Sequence, residues 1–229
     1  NTRRQGEKTV THVSLQDQKD ELLAAIEWTH KNFGRMPAVI SWAMGSVASL
    51  AAVCELAKAG REQVAFYAPL SYTRMDSLQN LRADKAVAHR DILALANEDA
   101  IPPFDTGTEA TRLGYYPLDP ATQAEGVDHW PGCSYVTAAS YKECVAFDPE
   151  ALLTDINGKF PPALIVHGTS NTLHMPEESV RLHKVYPGPK GDAPLMIQDM
   201  QHGQQLVADH PLFRHMVDNI DYGIRAHTA

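Results

Sequence analysis

The chain has 229 residues, 44% of them hydrophobic and 21% charged, a composition that supports one globular domain with a sizeable core and excludes a disordered chain. Its formal net charge of −8, without a basic cluster, argues against nucleic acid or an anionic membrane surface as a partner, since either needs grouped cations to displace counterions. Three cysteines at wide spacing (Cys54, Cys133, Cys144) give no zinc pattern and no disulfide framework, and there is no run of 18 apolar residues and no signal-peptide pattern. The expectation is therefore a cytoplasmic protein with reduced thiols, no metal, no cofactor and no membrane span.

In chain order, the polar start "NTRRQGEK" lacks a methionine, which suggests a processed or truncated product. Residues 14 to 33 follow as an amphipathic helix, with Leu15, Leu22, Ile26, Thr29 and Phe33 near one face and Leu23 widening it. Ser14, with Asp17 three residues on, supplies an N-cap signal. Pro37 precedes a predicted strand at residues 38–42. An alanine-rich helix over residues 46–58 then closes at Gly60, a residue suited to the position after a helix. "QVAFYAPL" reads as a second, buried strand, so helix, strand, helix, strand implies a parallel sheet with crossover helices. Between residues 71 and 140 this alternation is lost, and a segment of that length between strands predicts an inserted lid. The pattern resumes in "SYKECVAFDPEALLTDI", helical with a break near Pro149. It continues with a strand in "PPALIVHG", a helix with Pro176 in its first turn, a last strand in "APLMIQDMQHG" and a closing helix in "PLFRHMVDNIDYGIRAH".

The stretch "AVISWAMGSVASLAAV" (residues 38–53) is a strand, a tight small-residue turn and a helix. A turn of that kind lifts its apical side chain above the sheet and aims the next backbone N–H at an oxyanion. The nucleophile pattern Gly-x-Ser-x-Gly reads here Ser41-Trp42-Ala43-Met44-Gly45. Downstream, His202 follows the last strand in "DMQHG", and "LIVHGTSNT" puts Asn171 just past the preceding strand. With "SYKECVAFDPEALLTDI" ahead of that strand, these motifs resemble the α/β-hydrolase superfamily, and more narrowly its dienelactone-hydrolase-like group, which includes fungal polyketide transferases. The resemblance spans about residues 14 to 225.

The resemblance implies an α/β fold of α/β-hydrolase type, a mostly parallel sheet with a lid at residues 71–140 but without the several strands that relatives place ahead of the helix at 14–33. It makes Ala43 the nucleophile position, Met44 an oxyanion donor, Asn171 the acid position and His202 the base. Asn171 is expected to orient His202 through its carbonyl oxygen, without a carboxylate's ability to stabilise imidazolium. Alanine has no atom that attacks a carbonyl, and Ser41 and Ser46 sit below the turn and at the helix start, so neither replaces the nucleophile. Tyr115, Tyr116, His129 and Trp130 are the lid residues that would shape selectivity.

The expected protein is thus of an ester or thioester hydrolase or acyltransferase family, with a small hydrophobic ester, thioester or polyketide-like ligand, and silenced at Ala43. The silencing is engineered or natural, and Asn171 and Ser41 favour the natural case. Two alternatives stay open: a non-hydrolytic binding protein, and an enzyme in which His202 alone moves a proton during dehydration or cyclisation. A sheet short of one flank leaves an apolar edge, so association with a further segment or a second copy is expected.

Overall fold

The computed structural model describes residues 2–5, 8–11, 14–74, 135–136, 139, 142–143, 146–154, 156–171 and 174–228. In chain order its elements are β1 (Thr2–Gln5), β2 (Lys8–Thr11), α1 (Leu15–Phe33), β3 (Ala38–Trp42), α2 (Met44–Lys58), β4 (Phe66–Leu70) and β5 (Tyr135–Val136). They are followed by β6 (Val166–Gly168), α3 (Pro176–Val185), β7 (Leu195–Ile197) and α4 (Pro211–Thr228). The chain divides into two compact units, one of Asn1–Leu15 and Met75–Phe147, the other of Gln16–Arg74 and Asp148–Ala229.

In the first unit β1 and β2 form an antiparallel hairpin, and β2 pairs in parallel with β5. These short strands were hidden in the sequence by the polarity of their Thr, Arg, Gln and Lys residues. The run Thr9, Val10, Thr11 nonetheless has the β-branched character that suits an extended chain. With β5 they form a three-stranded sheet in the order β1-β2-β5.

The second unit is a four-stranded sheet in the order β3-β4-β6-β7, parallel throughout. β3 and β4 run in full register from Ala38 opposite Phe66 to Trp42 opposite Leu70. β4 is buried along its length, as an inner strand between helical layers must be. It also contains Pro69, which has no N–H to give. On the β6 side Tyr67 N–H reaches the Pro162 carbonyl and Ser71 N–H the Val166 carbonyl, and Pro69 falls between them. The ladder is interrupted there, which is why "PPALIVHG" yields only Val166–Gly168 as strand, with an isolated bridge at Ala163.

α2 begins at Met44, two residues earlier than its sequence suggests, and is buried on almost every side from Ser46 to Ala57. It ends with Gly60 at φ 62°, where Gly60 N–H bonds the Ala57 carbonyl and Arg61 N–H the Leu56 carbonyl, the paired bonds of a Schellman close. α3 carries Pro176 at its first turn with Glu177 and Glu178 beside it, and His183 and Lys184 in its last, each matching the sign of the helix dipole at its end. α4 lays Met216 and Ile220, with Leu212, Phe213 and Ile224 partly buried, against a core of Phe66, Ala68, Leu70, Val166, Ile197 and Met200. Gly223 lets that helix approach, since a Cβ there would lie 2.6 Å from the Phe66 ring.

Candidate active site

All four parallel strands of the second unit end at the same edge, and the chain turns there into the segments that carry the candidate residues. In open parallel sheets this carboxyl edge is where ligands bind. Between β3 and α2 a single residue makes the turn: Ala43 has φ 54° and ψ −124°, conformers that an L side chain rarely adopts. Its N–H bonds the Leu70 carbonyl at 2.9 Å, and its carbonyl accepts Ser46 N–H at 2.9 Å, so the turn is tied to β4 on one side and to the helix on the other. Ala43 is 8% exposed.

The serines near the turn are engaged below it. Ser46 Oγ donates to the Leu70 carbonyl at 3.1 Å, Ser49 Oγ lies 2.7 Å from Ser41 Oγ and 3.2 Å from the Tyr67 hydroxyl, and the Tyr67 hydroxyl donates to the Ser46 carbonyl at 3.2 Å. Burial pushes the Tyr67 hydroxyl well above the usual range for a phenol. Cys54, buried in α2, is pushed up to about 12 by desolvation, so its thiol is no nucleophile either.

The loops after β6 and β7 are stitched together. Thr169 N–H bonds the Ile197 carbonyl at 3.0 Å, Ser170 N–H the Met200 carbonyl at 3.2 Å, and Asp199 N–H the Thr169 hydroxyl at 2.9 Å. Gly168 makes this approach feasible, because a Cβ on it would sit 2.1 Å from the Met200 carbonyl oxygen. The stitching brings Asn171 beside His202, with Asn171 Nδ2 3.1 Å from His202 Nδ1. The His202 ring packs against Trp42, the residue before Ala43, at an interplanar angle of 30°, and against His174 at 47°, each with centroids 4.5 Å apart.

A polar chain runs through these groups. Trp42 Nε1–H donates to Gln205 Oε1 at 2.7 Å, Ser71 Oγ donates to the same oxygen at 2.8 Å, and Asn171 Nδ2 donates to Ser71 Oγ at 2.9 Å. Asn171 Oδ1 accepts His174 N–H at 3.0 Å. His174 Nδ1–H donates to the Ser71 carbonyl at 3.0 Å, and His167, between the Ser179 hydroxyl at 2.6 Å and the His174 carbonyl at 2.8 Å, braces the loop from beneath. Burial holds all three histidines below their ordinary value near 6.5: His167 in direction, His174 down to about 4 and His202 down to about 2. All three are neutral near pH 7.

No protein-family model matches the sequence, and no curated protein sequence does. Solved structures do. The monoglyceride lipase of Saccharomyces cerevisiae aligns with 91% of this chain and 68% of its own at 16% identity and a TM-score of 0.65. The α/β hydrolase GrgF of Penicillium sp. sh18 aligns with 94% and 73% at 14% identity and 0.62, and an esterase domain from Rhodothermus marinus with 93% and 69% at 12% identity and 0.52. The chain has the α/β-hydrolase fold.

Within that fold, the structure places Ala43 at the turn from β3 to α2, Met44 as the first residue of α2, Asn171 in the loop after β6 and His202 in the loop after β7, hydrogen-bonded to Asn171. Tyr115, Tyr116, His129 and Trp130 lie outside the described residues. One expectation is corrected: Asn171 meets His202 with its amide nitrogen, because its carbonyl oxygen is taken by the backbone N–H of His174. Another is loosened. Gly45 fits the small-residue pattern, yet a Cβ there meets nothing within 4 Å among the described residues, so contact alone does not demand glycine. Sequence reading passed over Ser71, His174 and Gln205. Only Gln205, three residues past His202, had a positional signal. Ser71 becomes visible through its φ of 49° and its place at the end of β4.

Proposed function

We propose that this chain is a silenced acyl-handling protein of α/β-hydrolase fold, of the dienelactone-hydrolase-like kind, which holds a small hydrophobic ester, thioester or polyketide-like ligand at its elbow without forming an acyl-enzyme. In this reading Ala43 stands at the nucleophile position, Met44 N–H is an oxyanion donor, and Asn171 and His202 occupy the acid and base positions. The observation that carries it is the backbone of Ala43, held at φ 54° and ψ −124° with only a methyl group at its apex. Strained backbone persists where the surrounding structure over-determines it, and such conformers cluster at functional sites. Esterase and lipase neighbours support an ester as the ligand class. Residues 71–140, with Tyr115, Tyr116, His129 and Trp130, are read as a lid that sets selectivity. The side of β3 that no strand pairs among the described residues is read as an association edge for a further segment or a second copy of the chain.

The test is binding without turnover. p-Nitrophenyl butyrate should change the tryptophan fluorescence saturably, since the Trp42 ring packs against His202, while nitrophenolate release stays at the buffer rate and a fluorophosphonate probe leaves the protein unlabelled. Stoichiometric labelling of Ser41 or Ser46, or turnover well above buffer, would overturn the silenced reading. Absence of any saturable response to the ester would overturn the ligand class.

A further inference from the structure

We infer that Asn171 fixes His202 as a neutral imidazole carrying its proton on Nε2, so that the elbow presents a hydrogen-bond donor to a ligand's carbonyl oxygen where a working hydrolase presents a base. The placement of the proton follows from hydrogen bonds alone. Its consequence for ester chemistry rests on the proposed reading of Ala43 as the nucleophile position.

The argument starts from groups whose polarity has no alternative. A backbone N–H can only donate, so the bond from His174 N–H identifies the Asn171 atom it meets as the carbonyl oxygen. The amide nitrogen must then face Ser71 Oγ and His202 Nδ1. The far end of the chain agrees independently. An indole N–H can only donate, so Trp42 fixes the Gln205 atom it meets as Oε1, and Ser71 must spend its one proton on that same oxygen. Ser71 Oγ is therefore an acceptor toward Asn171, as the first argument requires. Among the described residues this leaves Gln205 Nε2 as a buried donor with no hydrogen-bond partner, on a residue only 1% exposed.

His202 Nδ1, facing an N–H of Asn171, is an acceptor and carries no proton. A neutral imidazole has one N–H, which is then on Nε2. Among the described residues that N–H has no partner, and it points away from Asn171 because the two nitrogens lie on opposite sides of the ring. A serine triad needs the reverse: a carboxylate accepts Nδ1–H and leaves the Nε2 lone pair free to take the nucleophile's proton. Asparagine in place of that carboxylate costs about ten-thousand-fold in kcat by installing the wrong tautomer. Asn171 is thus a positioning residue that acts through His202. The site is silenced twice, at the apex and in the base, and a proton-abstracting role for His202 has only the Nδ1 lone pair, which the Asn171 N–H already engages. What remains is a donor, which is matched by the carbonyl of an ester, thioester or ketone.

The experiment uses the full chain labelled with ¹⁵N-histidine and long-range ¹H–¹⁵N correlation spectra at pH 7, with His202 assigned by its absence in His202→Gln. The native chain is expected to show His202 protonated at Nε2 and bare at Nδ1, and Asn171→Asp to move the proton to Nδ1. Hydrolysis of p-nitrophenyl butyrate is then followed in Ala43→Ser, Asn171→Asp and the double variant. Only the double variant should turn over, at 100-fold or more above Ala43→Ser. Protonation at Nδ1 in the native chain would overturn the inference, and that measurement needs no variant to fold. Turnover by Ala43→Ser equal to that of the double variant would overturn it as well. The expected tautomer together with an inactive, folded double variant would leave the inference standing and overturn the nucleophile-position reading.

Discussion

Ala43 occupies a backbone conformation that glycine tolerates and alanine resists, at φ 54° in a turn held by hydrogen bonds to β4 and to Ser46. Strain of this kind costs of order 1–3 kcal/mol. Replacing Ala43 by glycine removes a methyl worth about 0.8 kcal/mol of burial and loosens the unfolded chain, yet relieves the strain. Ala43→Gly is therefore expected to be at least as stable as the parent in urea unfolding. Ala52→Gly, buried in the middle of α2, should lose about 2 kcal/mol. Equal losses at the two positions would mean that the turn is unstrained. At this scale the sequence was legible in identity and opaque in polarity. Ala43, Asn171 and His202 could be picked out by their order along the chain. Which end of Asn171 faces His202 could not, because it is decided by a backbone N–H at His174 and by an indole reached through Ser71 and Gln205, none of which belongs to any local pattern.

At the scale of elements, α1, α3 and α4 could be read from apolar spacing and from Pro176 because amphipathic faces and helix starts are local properties. β6 was over-read, since the gap that shortens it belongs to Pro69 on the neighbouring strand, and β1 and β2 were missed because polar hairpins show no core face. The loops after β6 and β7 carry a consequence for stability. His167, His174 and His202 are all depressed in the native state from about 6.5, the last two to about 4 and about 2. Between those values and 6.5 the unfolded chain binds protons that the native chain refuses, so their contribution is complete above pH 6.5 and is lost as pH falls. His174 and His202 should each remove about 2 kcal/mol between pH 7 and pH 5, and His167 acts in the same direction. Glu150, raised by burial despite Arg181 beside it, acts in the opposite sense and offsets part of this. The urea midpoint is expected to fall over that interval with net proton uptake on unfolding, and a flat profile would contradict the buried neutral trio.

For the whole molecule, the parallel sheet and its functional edge could be inferred from alternation of strands and helices, but its flank could not, because what borders a strand is a matter of tertiary pairing. β3 carries the turn at Ala43 and is paired by β4 on one side; among the described residues no strand pairs its other side. Its outward Ile40 is 52% exposed. An edge strand with an exposed apolar side chain is a template for a second chain, and natural proteins disarm such edges with lysine. The 229-residue chain is accordingly expected to associate in a concentration-dependent way in sedimentation velocity. Ile40→Lys should shift that equilibrium toward monomer while the fluorescence response to p-nitrophenyl butyrate persists, since Ile40 lies outside the polar chain that joins Trp42 to His202. A parent chain that sediments as monomer at every concentration would mean that β3 needs no partner. Loss of the ester response in an Ile40→Lys monomer would mean that the pairing of β3 holds the turn at Ala43 in place, and the elbow's geometry would then depend on association and not on the chain alone.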